Sequence, residues 1–130
     1  SLSIKSNIKK VKKDYIPTYD VASTQKTEDY LWLLSCGEIW DNGYNGGVTR
    51  GKAITTEGKQ YKYYKINLGH TNYSSSNDIT RKPSVSISNL WLLRSPHSDG
   101  GGSFCAVTSD GRGAGNYAGR SSGVAPGFSI

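Results

Sequence analysis

No stretch of this 130-residue sequence approaches the roughly 18 consecutive apolar residues that a membrane-spanning helix needs. That shortage argues against membrane insertion. The start, Ser1 to Lys13, is polar and basic and lacks the apolar core of a secretory signal. Proline is sparse, at four residues, and cysteine sparser, at two. Cys36 and Cys105 lie 69 residues apart and neither belongs to a CxxC pair, which excludes a zinc-ribbon arrangement. Free buried thiols are the default reading of the pair, with a single disulfide as the alternative.

A third shortage is regional. Residues 95–130 contain no lysine, glutamate or glutamine, whereas the first 94 residues contain 16 of them. At that rate the last 36 positions should hold roughly six, so the absence is a bias in how the segment is composed. What fills 97–123 instead is mostly Gly, Ser, Asp, Asn, Ala, Thr, Arg, Tyr and His, including eight of the 16 glycines. Glycine-rich polar stretches usually read as linkers. This one is bracketed by apolar runs, Leu90 to Leu93 before it and Val124 to Ile130 after it. The bracketing points to an ordered scaffold that holds a permissive surface between two anchored strands. Loops on rigid scaffolds are where binding concentrates.

What is present fits one domain over 1–130, with enough chain to bury one core. The net charge of +6 invites a nucleic-acid reading. The charge is clumped, however, with Lys5, Lys9, Lys10, Lys12 and Lys13 interleaved with Ile4, Ile8 and Val11. That pattern suits a basic edge strand or arm, since edge lysines discourage aggregation. Contact with phosphate or a membrane surface is the alternative.

Along the chain, 1–13 reads as a strand and 14–28 as loop. Leu31-Trp32-Leu33-Leu34 reads as a buried strand. Ser35-Cys36-Gly37-Glu38 spells a capping box, which predicts a short helix carrying Ile39 and Trp40, weakened by Gly37. Residues 41–51 are turn-rich. A second short helix is expected over 57–66, with Tyr61 and Tyr64 packed in the core. Residues 69–84 read as loop, and Val85 and Ile87 alternate as in a half-buried strand. Leu90 to Leu93 is an apolar run stopped by Arg94-Ser95-Pro96. Phe104 to Val107 and Val124 to Ile130 are further strands, the last with Phe128 and Ile130 on one face. The class is α+β: a small antiparallel sheet, two short helices and long loops.

Three segments in order carry a family resemblance: Trp91-Leu92-Leu93-Arg94-Ser95-Pro96, then Phe104-Cys105-Ala106-Val107-Thr108-Ser109-Asp110-Gly111, then Gly123-Val124-Ala125-Pro126-Gly127-Phe128. Leu31 to Ser35 and Tyr61 to Tyr64 add to it. Over about 29–130 the chain resembles the variable proteins of diversity-generating retroelements. Those relatives often show two tryptophans before the leucine, where this chain has Leu90-Trp91 and an extra Leu93. The resemblance implies a C-type-lectin-like fold and a receptor-binding surface on a phage tail or bacterial cell surface. It also implies a templated process that substitutes bases at adenines. Asparagine codons so treated yield Gly, Ser, Asp, Tyr, His, Ala, Arg or Thr, and never Lys, Glu or Gln.

The expected ligand-binding residues are His97, Asp99, Gly100, Gly101, Gly102, Ala106, Thr108, Arg112, Ala114, Asn116, Tyr117 and Arg120, within a variable surface over about 97–122. Gly113, Gly115 and Gly119 join them as candidate diversified positions. Positions beside strand anchors should face outward. Tyr117, Arg112, Arg120 and His97 are the best contact formers, because tyrosine and arginine combine large area with planar hydrogen bonding. Trp32, Trp40, Trp91, Phe128 and the leucine runs are expected to fix the backbone beneath.

Other chemistry fits poorly. Gly113 to Ala118 mimics a dinucleotide fingerprint but has no acidic residue after it. Ser95, His97 and Asp99 lie too close along one segment for a hydrolase triad. A thiol–imidazole pair from Cys36 or Cys105 with His70 or His97 is disfavoured by the apolar setting of both cysteines. Calcium would need a denser array than Asp41, Asn42 and Asn45, or Asp99, Asp110 and Asn116. The cysteines match no formylglycine-generating motif. The sequence thus predicts a non-catalytic module without cofactor or metal, recognising a protein or glycan receptor and neither nucleic acid nor membrane. The rival reading is a structural or adhesin-like domain of a larger surface or tail protein.

Overall fold

The computed structural model describes residues 6–21, 23–41, 53–67, 73, 90–98 and 100–130. The expected strand at Val85 and Ile87 and the turns over 42–51 lie outside these residues.

The architecture is α+β, and the described residues form three small antiparallel sheets where the sequence suggested one. β1 (Val11–Tyr15) pairs with β2 (Gln25–Asp29), so the stretch expected as loop holds half a hairpin. Its sequence hid it, because Gln-Lys-Thr-Glu-Asp offers no apolar alternation and the pairing rests on backbone bonds and on Tyr15 Oη donating to Gln25 at 2.7 Å. Lys9, Lys10 and Lys12 are exposed along this arm, as an edge-protecting role requires. β3 (Trp32–Leu33) pairs with β7 (Pro126–Gly127), and Lys9 bridges Ser129.

The third sheet orders β4 (Trp91–Pro96), β5 (Ser103–Val107) and β6 (Gly113–Tyr117). β4 runs through Arg94-Ser95-Pro96, which the sequence read as a stop, and its register shifts between Leu92 and Pro96. Alternation assigns the faces. Trp91, Leu93, Cys105 and Val107 turn inward, with Trp91 opposite Val107, and are all but inaccessible. Leu92, Phe104, Ala106, Ala114 and Asn116 share the other face.

One α-helical turn, α1 (Cys36–Ile39), begins at Ser35 with the complete capping box: the Ser35 hydroxyl accepts from Glu38 N–H and the Glu38 carboxylate accepts from Ser35 N–H. Gly37 costs the helix propensity but is required by packing, since a Cβ there would collide with the backbone carbonyls of Gly58 and Ile54. The second expected helix is instead a 3₁₀ turn (Ile54–Glu57) and a π turn (Tyr63–Asn67), separated by a non-helical link at 58–61. Tyr64 is buried as expected, and Tyr61 is half-buried.

The core gathers Trp32, Leu34, Ile39, Trp40, Tyr64, Tyr73, Trp91, Leu93 and Val107, with Tyr73 meeting Trp40 edge to face at 5.0 Å. Phe128 does not join it. Phe128 is 53% exposed and Ile130 70%, while the closing segment is held by its backbone, with Pro126 and Gly127 paired to β3, Ser129 bridged to Lys9, and Gly127 close against the Trp32 indole. The C-terminal anchor is therefore backbone packed on a ring, not an aromatic side chain.

Candidate functional site

The sheet that carries the candidate surface is tied to the rest of the fold by buried charges. Arg94, on β4, reaches across the molecule. Its Nε donates to Asp14 O at 3.0 Å, Nη1 to Leu33 O at 2.7 Å and to Glu38 Oε2 at 2.6 Å, and Nη2 to Glu57 O. Glu38 is equally saturated. Oε1 takes Lys13 Nζ at 2.7 Å and the Tyr61 hydroxyl at 2.8 Å, while Oε2 takes Arg94 and Ser35 N–H. Lys13 Nζ also lies 4.3 Å from the Trp32 ring centroid, a cation–π contact. The capping box marked Glu38 in the sequence. Nothing there signalled that the same carboxylate holds two cations, since Lys13 reads as one lysine of an arm and Arg94 as a strand stop.

Burial by itself would raise the Glu38 pKa. The Arg94 and Lys13 contacts overcome it and hold this carboxyl below its ordinary range. Glu57 has the opposite balance. Burial dominates, and the Ser95 hydroxyl, the Ile16 N–H (2.8 Å) and the Arg94 charge offset it only in part, so its carboxyl is pushed up. A raised folded-state pKa gives stability that is complete below the unfolded value, near 4.5, and is lost as pH rises through the folded value. Relative to Glu57→Gln, the wild-type protein should therefore lose stability as pH climbs from about 4.5. Thermal melts of both proteins across pH 4 to roughly 8 measure this, and parallel curves would refute it.

Above this frame the candidate residues separate into unlike groups. At one end of the sheet lie the β4–β5 turn and the exit of β6, joined by Ser103 pairing with Tyr117 and by Ala118 N–H donating to Gly102 O at 3.0 Å. Tyr117 is 47% exposed, and the Arg120 guanidinium carbon stands 5.5 Å from its ring centroid. Gly101, Gly102 and Gly119 have open space where a side chain would go. Gly100 has open space too, but its φ of +135° strains any other residue. Asp99 lies outside the described residues.

Thr108 and Arg112 lie at the opposite end, about 13 Å away along β5. They close the β5–β6 hairpin: Thr108 N–H donates to Arg112 O at 2.9 Å, and the Thr108 hydroxyl accepts from Arg112 N–H at 3.0 Å. The Arg112 guanidinium pairs with Asp110 at 2.7 Å, so its side chain is already engaged. Between the two ends, Ala114 and Asn116 are half-buried, and Asn116 Nδ2 donates to Ser122 Oγ at 3.0 Å.

The expectation that positions beside strand anchors turn outward fails at three places. Ala106 has no exposed surface, being enclosed in the middle strand between Leu92 and Ala114. A Cβ on Gly113 would lie 2.6 Å from the Tyr73 ring, and one on Gly115 would lie 2.7 Å from the His97 ring. His97 is accordingly half-buried, its ring spent covering Gly115. β6 escaped notice because Gly-Ala-Gly-Asn-Tyr has almost no strand propensity. It is a strand because glycine makes room for two rings. Gly113→Ala should cost about 1–3 kcal/mol by overpacking, measured by urea denaturation, and a neutral result would show that Tyr73 can retreat.

Of the catalytic combinations considered from sequence, those that need His70 or Asp99 lie outside the described residues. Ser95 is buried and its hydroxyl accepts from Cys36 N–H at 2.9 Å. Cys36 and Cys105 form no disulfide, and both are buried and close to one another; burial, then Cys105, pushes the Cys36 thiol well above its ordinary pKa, the reverse of an activated nucleophile. Asp41 pairs with Lys65 and Asp110 with Arg112, and among the described residues no three metal-ligating side chains converge. No helix of the described residues is long and apolar enough to cross a membrane.

No curated protein and no solved structure matches the chain. A protein-family profile does, over residues 1–130: the chain belongs to the family described as a domain of unknown function, DUF6273.

Proposed function

We propose that this domain is a non-catalytic recognition module with a C-type-lectin-like frame. Its 97–122 stretch serves as a display surface for a protein or glycan receptor, of the kind that diversity-generating retroelements vary, on a phage tail or bacterial surface. The observation that carries the reading is the Tyr117–Arg120 pair beside Gly101, Gly102 and Gly119. A large planar aromatic and a guanidinium project from a sheet whose inner face is packed on Trp91, and the adjoining positions accept any side chain. The surface usable in this way is the rim formed by the β4–β5 turn and the β6 exit. Ala106, Gly113 and Gly115 belong to the frame.

Those three packed positions favour a second reading, a structural or adhesin-like domain with no variable site. The gene separates the two. A near-copy of the coding sequence for 90–130 beside a reverse transcriptase gene, differing only at adenines, supports variation. Differences at all four bases would remove it. In the protein, Tyr117→Ala should leave stability within about 0.5 kcal/mol of wild type, because the residue is largely exposed and the ring stands beside the exposed Arg120. The same change should weaken any receptor found on a glycan or surface-protein array at least about tenfold. Unfolding of the variant would refute the division into frame and rim.

A further inference from the structure

A second surface lies outside that rim. Between the β1–β2 hairpin and the outer face of β4 and β5 runs an open groove of about 640 Å³, within the size range of ligand clefts. Ile16, Pro17, Leu31, Leu92 and Phe104 give it an apolar lining. Leu31 is 55% exposed, although the sequence placed it in a buried run. Apolar side chains lining a concave site and rimmed by polar ones mark interaction surfaces.

The lining has two polar features of opposite sign, and they differ in how far they are used. Arg94 is committed to Glu38 and to three carbonyls and offers no charge to a ligand. Asp29 is not committed. It is half-buried at the end of β2, its side chain accepts one bond from the Thr27 hydroxyl, and among the described residues it has no cationic partner. A carboxylate partly withdrawn from water beside apolar walls favours a cation that brings an apolar body with it. This local demand is opposite in sign to the protein's own charge of +6.

We propose that this groove binds a segment of a partner protein that lays a large apolar side chain on Leu31, Leu92 and Phe104 and sets a lysine or arginine against Asp29. A flat membrane surface fits less well, because the site is walled on both sides and its free charge repels acidic lipid. The inference does not depend on the variable-surface reading, and it can stand or fall separately.

The test is a titration of the full chain, followed by amide chemical shifts, with two acetylated and amidated tripeptides, Leu-Phe-Lys and Leu-Phe-Glu. The lysine peptide should shift Leu31, Leu92 and Phe104 with saturation in the low-millimolar range expected of so small a ligand. The glutamate peptide should bind at least about fivefold more weakly. Asp29→Asn, a partly exposed change, should erase that difference while apolar binding persists, and Leu31→Ser should weaken both peptides. Tyr117→Ala should change nothing, which keeps this outcome distinct from failure of the display rim. Equal binding of the two peptides, no binding by either, shifts confined to the rim, or binding to phosphatidylcholine vesicles in place of peptide would each overturn the assignment.

Discussion

Arg94→Ala should cost about 3–5 kcal/mol, the penalty for breaking a buried, hydrogen-bonded charge pair. The size follows from what stays behind. Glu38 is 3% exposed in its side chain and would keep, among the described residues, only Lys13 as a cationic partner, while the carbonyls of Asp14, Leu33 and Glu57 would each lose a donor. Domains of this size hold only about 5–15 kcal/mol in total, so the variant should be partly or wholly unfolded at 37 °C. Arg94→Lys should rescue little of this. A lysine ammonium has three donors on a flexible stem and cannot span four acceptors arranged around a planar fork. Urea denaturation of the three proteins measures the effect, and a loss under about 1 kcal/mol would show that water replaces the guanidinium. A well-packed apolar replacement of both partners could be harmless, so the expectation concerns removal of one partner and not the worth of the pair.

Trp91→Ala should be as damaging, at about 3–5 kcal/mol, by a different route. Trp91 is 1% exposed, packs opposite Val107 on the inner face of the display sheet, and bridges Gly123 on the chain returning from it. Truncation would leave a cavity beneath the candidate rim. Trp91→Phe should recover much of the loss, because most of the volume returns. Calorimetry gives both values. A melting temperature for Trp91→Ala close to that of Tyr117→Ala would mean that no stiff frame underlies the surface.

The sequence showed the inside of this fold better than its edges. The apolar runs at Leu31 to Leu34, Leu90 to Leu93 and Phe104 to Val107 each fall on a strand, β3, β4 and β5, although β3 is only Trp32–Leu33 and Leu31 is exposed. The capping box set the start of α1, a local bond pattern that needs no tertiary context. β2 and β6 were illegible for opposite reasons. One is polar throughout and held by its hairpin partner, and the other is glycine-rich and held by rings from distant residues. Of the site, Tyr117 and Arg120 were legible as contact formers from residue type alone. The burial of Ala106 and the use of Gly113 and Gly115 as seats for Tyr73 and His97 were not, since both depend on contacts across the fold. Asp29 offered no signal, because only the groove around it makes a lone carboxylate notable.

The bonds made by Arg94 join residues 80, 61, 56 and 37 positions apart in the chain. Contacts of such span come at a high cost in loop-closure entropy, so they form late during folding and reward only a chain that is already nearly assembled. The arm at Asp14, the strand at Leu33 and the turn at Glu57 are therefore locked in one step with the display sheet. Neither half of the polypeptide should hold shape alone, and folding should be slow and all-or-none.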